Sequence, residues 1–298
     1  MPSWQATSHG AAWQVELERD RLLPGRLVGG QVSVTADDDI DARQVVVTLI
    51  GVESWQHEET TSDGQGRATT RTVTSSAELP RVPVELSGPL HLTAGESRTW
   101  PVQIPVPGLG PASVEGTVLR VAWTIEAKLD RPGLDSRIEV PVRITQPMAL
   151  LRAGVVHVSE FALYPEADAA IGNLTAAIEL DPMPLCSGAP FRGHVTLRTD
   201  HLRKLQEIRA EIRVHLEATV RGGKDESLTA WASTLVPALS VDGERRLDFA
   251  GTLSDVALPT IETDHGRSSA SFHLILATAF TRDPHLVRDV SIATTLEL

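Results

Sequence analysis

The chain has 298 residues, is 41% hydrophobic and 22% charged, and carries a net charge of −12 at pH 7. That length suits two domains of roughly 150 residues, each able to bury about 70% of its unfolded surface without covalent staples, and Cys186 as the single cysteine excludes an intramolecular disulfide framework. With no basic patch evident beyond short runs such as Arg203-Lys204, the acidic surface argues against nucleic acid as a partner; residues 1–10 lack secretory features and no apolar run approaches the roughly 20 residues of a membrane helix, so no integral membrane segment and a cytoplasmic location are expected.

In chain order, period-two alternation predicts half-buried strands at Val15/Leu17, Val32/Val34 and Val45/Val47/Leu49. The segment 56–79 follows, rich in Thr, Ser, Gly, Glu and Arg and longer than the 2 to 5 residues of an ordinary hairpin loop. It reads either as a hairpin extension running past the sandwich or as a partner-contacting loop. In the second reading Trp55 anchors its root, and Arg67 and Arg71 face an acidic surface through bidentate contacts. Further strands are predicted at Val82/Val84/Leu86, Val102/Ile104/Val106, Val121/Trp123/Ile125/Ala127 and Ile138/Val140/Val142/Ile144. A boundary near 147–154 gives domains 1–149 and 150–298. Beyond it, 165–177 is the most helix-like stretch and 202–205 a weaker candidate turn. Strands resume at Ile178/Leu180, Val195/Leu197, Ile208/Ala210/Ile212/Val214/Leu216, Phe272/Leu274/Leu276 and Val290/Ile292. Gly, Pro and Asp clusters separate the strands, and the long amphipathic helices of a parallel sheet are missing. The fold class is therefore all-β: two tandem immunoglobulin-like antiparallel β-sandwiches.

The two halves share a glycine spacing. Val15, Leu17, Gly25, Gly30, Val32 and Val34 recur at a constant offset of 163 as Ile178, Leu180, Gly188, Gly193, Val195 and Leu197. A period this long points to two domains of one fold rather than a solenoid. The last two strands align at offsets of 151 and 152, setting Trp123 against Leu274 and Val142 against Thr294.

The string Leu23-Pro24-Gly25-Arg26-Leu27-Val28-Gly29-Gly30-Gln31-Val32 resembles the opening signature of arrestin-like domains. The stretch from Val45 with Gly51 and Trp55 is similar to a strand of the arrestin-domain-containing branch, and the run from Gly95 through Pro107 resembles that family's proline-ended strand. The resemblance implies a two-domain arrestin fold of the bacterial sporulation-control or arrestin-domain-containing type. It also implies an adaptor or scaffold rather than an enzyme, with a role in sporulation or morphological control. The ligase-recruiting PPxY motifs of some relatives have no counterpart here.

No constellation advertises chemistry. Gly108-Leu109-Gly110-Pro111-Ala112-Ser113 precedes a strand, where a phosphate loop needs a helix N-terminus. Asp37-Asp38-Asp39-Ile40-Asp41 reads as a solvated turn, lacking the spaced ligands and glycine of a calcium loop. His194, His215 and His273 fall on outward faces, and no histidine pair has metal-binding spacing. Cys186 reads as a small buried residue, Trp13 as part of a strand packed on the core. No cofactor, metal or catalytic residue is expected. The chain is expected to bind protein partners through sheet edges, the 56–79 segment and a groove between domains, with self-association through exposed edges as a further option. The alternative is an enzyme or metal-dependent binder whose site forms between the domains.

Overall fold

A computed structural model describes residues 1–62, 67–152, 169–171, 174–255, 258–277 and 285–296. The first half gives β1 Ser3–Ser8, β2 Ala11–Leu17, β3 Arg21–Leu22, β4 Leu27–Ala36, β5 Ile40–Ala42, β6 Gln44–Ser62, β7 Ala68–Glu78, β8 Val82–Ser87, β9 Leu90–Leu92, β10 Ser97–Pro105, β11 Val114–Glu115, β12 Leu119–Asp130 and β13 Ser136–Ile144. A short helix, α1 Met148–Arg152, follows. The second half gives β14 Ala169–Ile171, β15 Leu174–Asp181, β16 Leu185–Cys186, β17 Pro190–Leu205, β18 Glu207–Ala218, β19 Asp225–Val236, β20 Leu239–Thr252, β21 Ile261–Glu262, β22 Gly266–Ala277, β23 His285–Val290 and β24 Ile292–Ala293.

The chain divides into two compact units. Unit 1 comprises Met1–Ser54, Ser75–Ser113 and Arg120–Thr145; unit 2 comprises Trp55–Thr74, Val114–Leu119 and Gln146–Leu298. In unit 1 one sheet runs β1-β2-β4-β10, and a second runs β3-β13-β12-β6-β7, with β8 on β6. Alternation dictates which side chains meet between the sheets. Trp13, Val15, Val32, Val34 and Ile104 come from the first, and Val45, Val47, Leu49, Val121, Trp123, Ile125 and Val140 from the second, all buried. The Trp13 indole N–H donates to Ser136 Oγ at 2.8 Å, and the Ser136 hydroxyl in turn donates to the Ser8 carbonyl. The Asp37–Asp39 run turns between β4 and β5, where Asp39 Oδ1 accepts from the Ala94 N–H at 2.9 Å.

Unit 2 sets β14-β15-β17-β20 and β19-β18-β22-β21, with β23 on β22, around Val195, Leu197, Ile208, Ile212, Val214, Phe272 and Leu274. The repeated glycines have one steric origin. A Cβ on Gly30 would lie 2.4 Å from the Glu16 carbonyl oxygen, and one on Gly193 would lie 2.4 Å from that of Glu179. Each faces a leucine across its antiparallel ladder, Leu17 and Leu180 respectively, and Gly25 and Gly188 both adopt φ of 72°.

Three expectations are corrected. The helix-like stretch 165–177 holds strand at Ala169–Ile171 and continues into strand from Leu174, paired Ala169↔Ala176 and Ile171↔Leu174; 165–168 and 172–173 lie outside the described residues. Ladder pairing overrides the helix preference of its alanines. The candidate turn 202–205 is the end of β17, which is bulged between Thr199 and Arg203 rather than reversed. Leu274 is paired with Leu286 just as Trp123 is paired with Val142. The final strand therefore corresponds at Leu286, and Thr294 falls after β24.

Candidate protein-interaction surface

The 56–79 segment forms two strands, the outer part of β6 and the whole of β7; residues 63–66 lie outside the described residues. Residues 68–72 of β7 are all exposed. Thr60 and Thr70 share a hydroxyl–hydroxyl hydrogen bond of 3.0 Å across the pair. The Thr60–Thr70 pair is thus a cross-strand contact of the kind by which a solvated β-ribbon holds register.

Of the three residues expected to meet a partner, Trp55 is 9% exposed, its ring stacked on His265 at 3.8 Å and 3° between planes. The ring is covered rather than presented at the surface. Arg71 is 67% exposed and pairs with Glu59 Oε2 at 3.0 Å, while Glu59 Oε1 lies 3.7 Å from His57 Nε2. Arg67 is exposed just before β7. Arg71 therefore sits beside Glu59, four residues beyond Trp55 and about 13 Å along the strand. A solvent-facing pair of this kind contributes at most about 1 kcal/mol, so the guanidinium can exchange Glu59 for another carboxylate.

A set of contacts around the Trp55 root was not foreseen. Within unit 2, the Gln56 N–H donates to the Val118 carbonyl at 2.9 Å, the Glu58 N–H to the Gly222 carbonyl at 2.8 Å, and the Lys224 N–H to the Gln56 carbonyl at 3.0 Å. The Lys224 ammonium pairs with Glu58. Glu226 accepts from the Thr117 N–H at 2.9 Å, the Thr117 hydroxyl at 3.2 Å and the Val118 N–H at 3.3 Å. Its carboxylate thereby satisfies two backbone donors of the turn after β11. Only the Gly222-Gly223 pair ahead of Lys224 signals a turn in the sequence; nothing local announces the partners, which lie 109 and 166 residues away.

Burial sets the remaining chemistry. The Cys186 thiol is buried against Met148, Leu151 and Ala293, and burial, with Asp255 adding, pushes its pKa up. His273, beside Ser271 on β22, is held below the ordinary imidazole range by burial first and by Arg213 second. His194 and His215 lie on the faces away from the core and contact Glu179 and Glu217. Among the described residues, no group of three or more His, Cys, Asp or Glu side chains could hold a metal ion, and no helix is long and apolar enough to cross a membrane.

What these sheets offer is backbone. Among the described residues β1 and β10 end one sheet of unit 1, and β14, β20 and β19 end sheets of unit 2. Each leaves N–H and C=O groups on one side without a neighbouring strand. No curated protein matches the chain. Residues 14–150 match the family model for the arrestin (or S-antigen) N-terminal domain, and over that stretch this all-β chain is similar to that family.

Proposed function

We propose that the chain is a non-catalytic arrestin-like scaffold or adaptor that binds protein partners through free sheet edges and the 56–79 segment. The observation that carries this reading is the combination of sheet edges that are unpaired among the described residues with an exposed Arg71 that pairs with the half-exposed carboxylate of Glu59. An extended partner peptide would gain main-chain hydrogen bonds from an edge strand, and selectivity from side chains at alternate positions. Arg67 and Arg71 would take acidic groups on the partner. The arrestin N-terminal match over 14–150 supports an adaptor in general terms. The resemblance to bacterial sporulation-control proteins extends the proposal to a cytoplasmic role in sporulation or cell shape.

Crosslinking mass spectrometry in the native cell, with wild type and an Arg67→Glu/Arg71→Glu variant, tests it. Crosslinks from 56–79 or an edge strand to one partner, reduced in the variant, are expected. Recovery of the same partner and the same crosslinks from both proteins would remove the arginines from the account; no crosslinked partner at all would remove the adaptor.

A further inference from the structure

The order of side chains along β20 is complementary to itself. This strand ends the sheet β14-β15-β17-β20, and among the described residues no strand lies on its far side. Three of the other edges are blunted in the usual ways. Pro101 and Pro105 interrupt the donors of β10, β19 is bulged at two places opposite β18, and β14 has three residues. In contrast, β20 has fourteen residues and no proline, and its pairing with β17 runs without a shift from Thr252 to Gly243. Its core-facing Leu247 and Phe249 are only half buried, although Phe249 stacks on Phe272 at 5.5 Å and on Trp231 at 5.8 Å. An unpaired backbone row and an incompletely covered aromatic cluster therefore lie along the same edge.

We propose that a second copy of this chain docks antiparallel on β20 about a two-fold axis through Leu247, joining two four-stranded sheets into one of eight. A closed, isologous contact of this kind presents the same residues from both copies. In this register Arg246 of each copy faces Asp248 of the other, Leu247 faces Leu247, Gly243 faces Gly251, and Arg245 faces Phe249, a cation over an aromatic ring. Glu244 meets Ala250 and Asp242 meets Thr252, so no like charges are opposed. Registers with the axis at Glu244, Arg245, Arg246 or Asp248 fail on charge, and moving it to Phe249 leaves only the seven residues 246–252 of β20 paired. An axis at Arg245 sets Asp242 against Asp248 twice, one at Arg246 sets Glu244 against Asp248 twice, and axes at Glu244 or Asp248 set a carboxylate against itself. In the single chain Arg246 and Asp248 pair with each other at 2.9 Å and are 59% and 73% exposed, so both are available to exchange partners. Contact through one edge strand is modest in area, and the dimer is expected to be weak, with a dissociation constant on the order of 10 µM. The occupant is another copy of the chain, so the proposal stands whether or not the adaptor reading holds.

Sedimentation velocity of the full chain over a concentration series tests it, with Arg246→Asp, Asp248→Arg and the double reversal, and circular dichroism as the check on folding. Each single reversal opposes like charges twice and is expected to weaken the dimer about 10-fold or more. The double reversal restores opposite pairs and is expected to return the affinity to within about threefold of wild type. Under mild oxidation Leu247→Cys should give a disulfide-linked dimer and Ser240→Cys should not, since only the axial position brings its own copy within bonding distance. A chain that is monomeric at every concentration, a dimer indifferent to the single reversals, or a double reversal that stays monomeric would each overturn the proposal.

Discussion

Adding one methyl group at Gly30 or at Gly193 should damage the two sandwiches by similar amounts. An alanine Cβ at Gly30 would stand 2.4 Å from the Glu16 carbonyl oxygen and 3.0 Å from Leu17 Cδ2; at Gly193 it would stand 2.4 Å from the Glu179 carbonyl oxygen and 2.9 Å from Leu180 Cδ2. Ordinary carbon–oxygen approach across strands is about 3.3 to 3.6 Å, so one strand must retreat by about 1 Å. Backbone on the facing strand cannot swing aside as a flexible side chain would. The cost of such overpacking is about 1–3 kcal/mol at each position, or a fall in melting temperature of roughly 2–12 °C for a unit of this size. Urea unfolding followed by tryptophan fluorescence, together with scanning calorimetry, measures it. Gly88→Ala is the control, because its Cβ meets nothing nearer than Glu85 Oε1 at 3.9 Å; it should fall within about 0.5 kcal/mol of wild type. If Gly30→Ala and Gly193→Ala unfold where Gly88→Ala does, steric exclusion is not the reason for glycine at either site.

Glu226→Ala should destabilise unit 2 by about 1–2 kcal/mol, since it strips a charged acceptor from the Thr117 and Val118 N–H groups. Amide hydrogen exchange should accelerate at those two positions and change little in β20. For His273 the folded pKa lies below the unfolded value, through burial and then Arg213. The unfolded state therefore binds more protons as pH falls through the ordinary imidazole range, and stability drops with it. Urea midpoints should decline from pH 7 toward pH 5, and the decline should be shallower in His273→Gln; an equal decline in both would assign it to other groups.

Much of the layering was legible because period two is imposed wherever one face of a strand is buried. Val121, Trp123 and Ile125, or Ile208 through Leu216, could hardly be placed otherwise. The strands β19 and β20 escaped notice for the same physical reason in reverse. Apart from Val241 their core-facing positions are at least partly exposed, so selection for apolar residues is relaxed and Arg245 sits among them. Residues 169–177 misled because alanine content reports intrinsic preference, whereas the ladder between Ala169 and Ala176 is a tertiary fact. The surface was less readable than the fold. Trp55 announced an aromatic anchor, but not that His265 would cover it, and the carboxylate of Glu226 reaches donors 109 residues away.

Sealing the lone sulfur of Cys186 among Met148, Leu151 and Ala293 also governs how the molecule ages. Thiolate is the reactive form, and burial keeps it scarce. Aerobic storage or an oxidising burst in the cell should leave copies of the chain uncrosslinked through native sulfur, and association between them indifferent to glutathione.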